Sequence, residues 1–475
     1  MSTPAADTAT PDPKIIDNPE LPPAARKTFM GHPVGLFILF FTEMWERFSY
    51  YGMRALLVLY MVNYLFVDPE RAERVLGFGA IRGGLESVFG PLQGQPLASQ
   101  IYGLYTGFVY LTPLFGGMLA DRVLGQRKTV VVGGALMAIG HFLMAFEDLF
   151  FLALFFLILG NGAFKPNIST QVGRLYVQGD PRRDGAFTIF YMGINLGAFF
   201  APLVCGTLGQ QVGWHYGFTA AGVGMVLGLI IYLTGQRFLA PDTLPTKTEA
   251  TAAAKTAEPL TSDEWKRIGA LVFLCALNIV FWAVYEQQGN TMQLWADERT
   301  DWSLGPWTIP STWYQSFNPF MIFAFAPLLN MFWAWQDKRS GQPSSVTKMA
   351  LGCLLLGSAF VTMIFASNVV PEGERGSVLW LVTATFVLTI GELYLSPIGL
   401  SLVTKVAPVR LVSMLMGMWF LSSFFGNYLS GYLGTFYTRM DKDQFFMMLT
   451  ALGVVTGGLM MVANRPLKRA LGGKV

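Results

Sequence analysis

Twelve long apolar runs, separated by short polar segments, constrain this chain more than any other feature of it. They lie near residues 33–66, 97–121, 126–145, 149–167, 184–208, 214–235, 265–288, 310–335, 345–369, 376–404, 411–435 and 444–464. A helix needs roughly 20 mostly apolar residues to cross the hydrocarbon of a bilayer. No water is available there for loose N–H and C=O groups, so such runs cross as helices. Charged residues make up 13% of the chain, about half the ~25% of a soluble globular protein. The expected fold class is an all-α polytopic membrane protein with twelve transmembrane helices.

Charge placement sets the expected orientation. With the N-terminus inside, 23 of the 33 Lys and Arg fall on cytoplasmic segments, 7 on outer loops and three in the spans. Both termini are therefore expected in the cytoplasm of a multi-pass inner or plasma membrane protein. Residues 1–32 read as a polar, Pro-rich cytoplasmic tail without the features of a signal peptide, and 465–475 as a second tail. Cys205, Cys275 and Cys353 lie within spans and read as small apolar residues. No CxxC, HExxH, GxSxG or phosphate-loop pattern occurs, and no basic stripe suited to nucleic acid. An enzyme, an ATP-driven pump and a cofactor are not expected.

The chain divides at 236–264, a cytoplasmic linker rich in Ala, Thr, Pro and Lys, into a six-span bundle at 33–235 and another at 265–464. The halves look duplicated. Gly160-Asn161-Gly162-Ala163-Phe164-Lys165-Pro166 in span 4 lines up with Gly391-Glu392-Leu393-Tyr394-Leu395-Ser396-Pro397 in span 10. The turn after span 2, Gly116 to Lys128, has a shorter counterpart after span 8, Gln336-Asp337-Lys338-Arg339-Ser340-Gly341. Duplicated halves place a transport site near the membrane midplane, between two bundles that rock. In the first turn, Asp121 and Arg122 are candidates for a gating latch.

Seven ionisable residues fall inside spans: Glu43, Glu46, Arg47 and Arg54 in span 1, Lys165 in span 4, Glu286 in span 7 and Glu392 in span 10. Each costs at least about 2.5 kcal/mol at the bilayer centre, so such groups face the bundle interior, pair, and mark a pathway. Three cations and four acids leave one carboxylate over, a candidate proton carrier. At about 100° per residue, Glu43, Glu46, Arg47, Tyr50, Tyr51 and Arg54 share one side of span 1. Leu36, Leu39, Phe40 and Leu57 lie on the other, suited to lipid or packing.

The run Glu43-Met44-Trp45-Glu46-Arg47-Phe48-Ser49-Tyr50-Tyr51 resembles the first-helix signature of the proton-dependent oligopeptide transporter family, a branch of the major facilitator superfamily. Gly116 to Val130 is similar to that family's loop motif, and Phe190-Tyr191-Met192-Gly193-Ile194-Asn195-Leu196-Gly197 to its fifth-helix motif. The resemblance implies the major facilitator fold, two pseudo-symmetric six-helix bundles, and proton-coupled import of di- and tripeptides by a monomer. It implies that Arg47 and Lys165 hold the peptide carboxylate and Glu392 its amino terminus. Asn195 and Asn318 would bond the peptide backbone, and Tyr50, Tyr51, Tyr110, Trp282, Ser396 and Trp419 would line the pocket. For proton coupling it implies Glu43, Glu46, Arg54 and Glu286, with Arg54 opposite Glu286 and Lys165 free to meet Glu392 or the span 1 acids.

Two departures qualify this pattern. The histidine that animal members carry in span 2 is absent; His32, His141 and His215 lie elsewhere, and His141 reads as packed or lipid-facing. The two extra helices that many bacterial members insert between the halves are also absent, because 236–264 is too polar to span. The alternatives are a nitrate or drug carrier of the same fold, or a non-transporting membrane receptor. Neither rival carrier needs an acid facing a cationic pocket, and a receptor would be expected to lose the span 1 acids.

Overall fold

The computed structural model describes residues 18–19, 21–242, 260–408 and 411–471. Much of the expected linker and both outer parts of the tails lie outside these residues. Twelve long helices dominate: α1 Val34–Tyr60, α2 Gly94–Leu119, α3 Gln126–Leu143, α4 Phe150–Arg174, α5 Arg182–Ala201, α6 Trp214–Gly235, α7 Ser262–Tyr285, α8 Phe317–Ser340, α9 Ser345–Val369, α10 Leu379–Val406, α11 Val412–Gly434 and α12 Lys442–Ala470. Eight are by length and composition apolar enough to cross a membrane on their own; α1, α2, α3 and α11 complete the set. Local chemistry fixes several starts. A full capping box of Thr261 and Glu264 opens α7, satisfying N–H groups that the first turn leaves unpaired. Gly125, with φ of +78°, supplies the left-handed residue before α3.

One clear difference from the expected spans is at α8. The apolar run begins at 310, but Ser311–Ser316 is a tight 3₁₀ turn and the α-helix starts only at Phe317. Aromatic residues carry the hydropathy through a turn that is not yet helix. Two short helices not expected from the apolar pattern, Pro69–Arg74 and Phe78–Phe89, lie between α1 and α2. Asp68 caps the first by accepting from the Glu70 N–H at 3.0 Å, and Phe78 stacks on Phe151 of α4.

Glycines set the helix crossings, and they repeat. In the first half α3 and α4 meet where Gly133 faces Gly160; a Cβ on Gly160 would stand 2.7 Å from the Gly133 carbonyl oxygen. In the second half Gly352 of α9 faces Gly391 of α10 in the same way, at 2.8 Å. The Gly160/Gly391 alignment seen in the sequence is therefore a repeated packing contact. Between the halves, α2 crosses α11 backbone to backbone: a Cβ on Gly103 would lie 2.5 Å from the Gly431 Cα.

The two ends of the molecule differ. At the end away from the termini the halves are stitched together. Gln95 donates to the Gly434 carbonyl at 2.9 Å, Ser99 to Asn290 Oδ1 at 2.8 Å, Gln210 to Ser311 Oγ at 2.8 Å and Trp313 to Thr207 Oγ1 at 2.9 Å. At the terminal end, among the described residues, no hydrogen bond between side chains or backbone joins one half to the other. The halves are closed at one end and parted at the other.

α1 is enclosed on nearly every side. Leu36, Leu39 and Leu57 are fully buried, so the face opposite the charges packs against protein. Cys205, Cys275 and Cys353 are buried and unpaired. His141 is also packed, with neither ring nitrogen finding a partner among the described residues.

Candidate functional site

Between the two halves lies a cavity of about 380 Å³, of a size that suits a small organic ligand. The first half lines it with Tyr51, Arg54, Tyr110, Lys165, Tyr191 and Asn195, and the second with Trp282, Glu286, Asn318, Glu392, Ser396 and Trp419. Each residue reaches the cavity for a local reason. Lys165 stands one residue before Pro166 in α4, and Glu392 and Ser396 flank one turn before Pro397 in α10. The glycine contacts at Gly160 and Gly391 hold these two helices against α3 and α9 so that equivalent faces look toward each other across the gap.

The charges in the membrane divide into three arrangements. The first is a closed cluster beside the cavity. Arg47 grips Glu46 with two bonds, Nε to Oε2 at 2.5 Å and Nη2 to Oε1 at 2.7 Å, and its Nε lies 3.3 Å from Glu43 Oε1. Asn161 adds a bond to Glu46 at 3.3 Å, while Glu43 Oε2 is buried without a partner among the described residues. Two carboxylates thus share one guanidinium. The second arrangement joins the halves: Arg54 Nη2 meets Glu286 Oε2 at 2.5 Å, and Arg54 Nε donates to the Tyr102 hydroxyl at 2.7 Å.

The third arrangement is a separated pair of unlike charges. Lys165 Nζ stands 4.6 Å over the ring of Tyr110 and pairs with no carboxylate among the described residues. On the opposite wall Glu392 accepts from Asn318 Nδ2 at 2.9 Å and meets no cation there. A ring face offers a cation only part of what a carboxylate would, and an amide offers a carboxylate less than a cation would. The cavity is therefore dipolar, with a cationic wall in one half and an anionic wall in the other.

Tyr51, Tyr110, Lys165, Asn195, Trp282, Asn318, Glu392, Ser396 and Trp419 line the cavity together with Arg54 and Glu286. Arg47, Tyr50, Glu43 and Glu46 do not; Arg47 is 3% exposed and fully engaged by its acids. Lys165 reaches neither Glu392 nor the α1 acids closely enough to pair. Asp121 and Arg122 are exposed after α2, and among the described residues no hydrogen bond or ion pair latches them to the other half. The turn is held instead through Arg127, whose backbone N–H donates to Asp242 Oδ1 at 3.1 Å.

Sequence reasoning missed several groups. Tyr102 and Asn161 hold the charged clusters, and Tyr191, Tyr285 and Gln315 line the cavity. Asn161 carried a usable signal, because the internal repeat places it opposite Glu392. Tyr191 lies within the fifth-helix motif, one turn before Asn195, whereas Tyr285 and Gln315 carried no signal, being single polar groups in aromatic surroundings.

Comparison with known proteins finds relatives along most of the chain. The sequence model of the POT family matches residues 127–257 and 242–452. The uncharacterised transporter YclF of Bacillus subtilis (strain 168) is 35% identical over 94% of this chain and 97% of its own. A di-/tripeptide transporter of Lactococcus lactis subsp. cremoris is 33% identical over 94% of this chain and 98% of its own. Among solved structures, a mutant of the peptide transporter POT in complex with alafosfalin superposes with a TM-score of 0.82 at 34% identity, covering 94% of this chain and 97% of that one.

Proposed function

The chain belongs to the POT family of membrane transporters, and from that premise we propose that it is a proton-coupled symporter importing di- and tripeptides by alternating access. The separated charges of Lys165 and Glu392 carry this reading. A peptide has a carboxylate at one end, an ammonium at the other and a constant backbone between. A ligand of that shape satisfies both walls at once. A simple anion would leave Glu392 unanswered, and an apolar drug would leave both unpaired, each at a desolvation cost.

In this reading Lys165 takes the peptide carboxylate in the state seen here, and Arg47 joins it only after releasing one of its acids. Asn318 and Asn195 bond the peptide backbone, and Tyr51, Tyr110, Trp282 and Trp419 bury its side chains without demanding one shape. Ser396 and Tyr50 complete the lining as the halves move. The terminal end is the cytoplasmic one, which makes the present arrangement inward-open. Arg54 and Glu286 close the outer gate; protonating Glu286 removes the charge that holds Arg54, so the gate opens outward when a proton arrives. Glu43 and Glu46 share Arg47 and set when that guanidinium is free. Asp121 and Arg122 act at the cytoplasmic turn when the halves close there. The protein works as a monomer in the cell membrane, with protons as its coupling ion.

The test is uptake of labelled di-alanine into liposomes holding the purified protein, with an inward proton gradient. Accumulation that stops when the gradient is collapsed is expected. Replacing Glu286 with Gln should abolish gradient-driven accumulation while sparing exchange of peptide across the membrane. Transport of nitrate or a drug with no peptide uptake would overturn the proposal, as would gradient-driven uptake that persists in the variant while exchange is lost.

A further inference from the structure

Away from the central cavity, a second pocket of about 460 Å³ opens at the terminal end of the second half, where α8, α10 and α12 finish and α9 begins. Its charged lining has one sign: Lys348, Lys405 and Lys468. Lys348 is only 6% exposed, yet its partners are neutral. It donates to Gln342 Oε1 at 2.6 Å and stands 4.2 Å over the Trp333 ring. None of the three lysines forms an ion pair among the described residues. Asp337, near the end of α8, is the acid whose field reaches Lys348, without pairing. Trp333 also lines the pocket, and its indole Nε1 is buried with no acceptor among the described residues. A buried donor left unmade is costly.

The internal repeat indicates what belongs in this space. Aligning Gly133 and Gly160 with Gly352 and Gly391 sets Gln126 of α3 on Ser345 of α9, and Arg174 of α4 on Lys405 of α10. In the first half this corner holds an anion of its own. Asp242, from the segment after α6, accepts from the Arg127 N–H at the start of α3, at 3.1 and 3.2 Å. Arg174 reaches into the same corner, donating to Gln126 Oε1 at 3.3 Å and to the Pro241 carbonyl at 2.7 Å. The second half keeps the cation at the Arg174 position as Lys405 and adds Lys348 and Lys468. Among the described residues it puts no carboxylate where Asp242 would be.

We propose that this pocket binds a phosphate group, carried by an anionic phospholipid headgroup or by a soluble phosphate. Three ammonium groups, the Ser345 hydroxyl and the N–H groups at the start of α9 other than that of Thr347, which the Ser344 hydroxyl caps at 3.2 Å, offer more donors than one carboxylate accepts. A tetrahedral anion with several oxygens uses them all. Basic pockets between the ends of transmembrane helices are where charged headgroups settle. The bound phosphate pins the ends of α8, α9, α10 and α12 together, as Asp242 does for the first half.

Native mass spectrometry of the full-length protein tests this, in a zwitterionic detergent, with phosphatidylglycerol, phosphatidylcholine and inorganic phosphate added separately. One phosphatidylglycerol should be retained per chain in preference to phosphatidylcholine, or one inorganic phosphate should be retained. Retention of the lipid alone assigns a headgroup site; retention of both assigns a general phosphate site. Lys405→Gln with Lys468→Gln, both exposed and so tolerated by the fold, should weaken binding by about fivefold per lysine. Lys266→Gln, on exposed α7 surface, should leave it unchanged. Failure to retain either anion, or a double variant that binds like the parent, overturns the proposal.

Discussion

The Arg54–Glu286 pair gives the sharpest prediction, because it is a buried ion pair that joins the two halves and that the proposed gating breaks when the far end opens. Glu286 is 2% exposed at its side chain and Arg54 11%. Removing one partner of such a pair strands the other charge, at about 3–5 kcal/mol. Glu286→Gln strands Arg54, but the guanidinium keeps its bond to the Tyr102 hydroxyl at 2.7 Å, which argues for the lower figure. In that gating scheme only the closed state bears the cost, and about 3 kcal/mol shifts the open-to-closed ratio on the order of 10²-fold. The remaining far-end bonds, from Gln95, Ser99 and Gln210, resist the shift equally in parent and variant. Spin labels at Val88 and Leu304, exposed at that end on opposite halves, read the opening as a longer distance by pulsed electron resonance. Adding Arg54→Gln removes the stranded charge and should return most of the closed population. A Glu286→Gln distance distribution identical to the parent's would refute the reasoning, and so would a double variant that opens as far as the single one.

Lys165→Ala should raise the KM for di-alanine roughly 10- to 100-fold, the loss of one charge-assisted bond, with Lys165→Arg recovering part of it in the same liposome assay. Gly103→Val should lower the thermal melting point by the equivalent of about 1–3 kcal/mol, because its Cβ would lie 2.5 Å from the Gly431 Cα. In the loop between α4 and α5, the Arg182 side chain holds the Asp180 carboxyl below its ordinary range. That stabilisation is present above the unfolded carboxylate pKa and lost as pH falls through the depressed folded value. Asp180→Asn should therefore cost stability at pH 7, and the difference from the parent in thermal melts should shrink with acidification.

The fold was legible because the bilayer leaves so few choices. An apolar run of sufficient length has to become a helix, so the span positions came directly from hydropathy, and the duplication came from Gly160 and Gly391, whose spacing to proline the two halves share. Errors arose where hydropathy and backbone part company. The run at 310 is apolar but begins in a 3₁₀ turn. The short helices Pro69–Arg74 and Phe78–Phe89 are too brief to show as spans, although Asp68-Pro69-Glu70 is a recognisable helix start.

The site was legible in its composition and less so in its pairing. Helix periodicity correctly put six residues of α1 on one side, but a side of a central helix is not one environment. Tyr51 and Arg54 open onto the cavity, whereas Glu43, Glu46, Arg47 and Tyr50 turn into protein. The distinction depends on neighbours from α2 and α4, above all Tyr102 and Asn161, which no spacing along α1 encodes. Counting charges left one acid unmatched; the geometry leaves two opposite charges unmatched, Lys165 and Glu392, and gives two acids a single arginine. That difference matters for mechanism. A lone surplus carboxylate would explain proton movement but not selectivity. Two unmatched charges on opposite halves suit the dipolar ligand proposed above. In that proposal a ligand reaching both walls draws the halves together, which ties binding to the closing of the parted end.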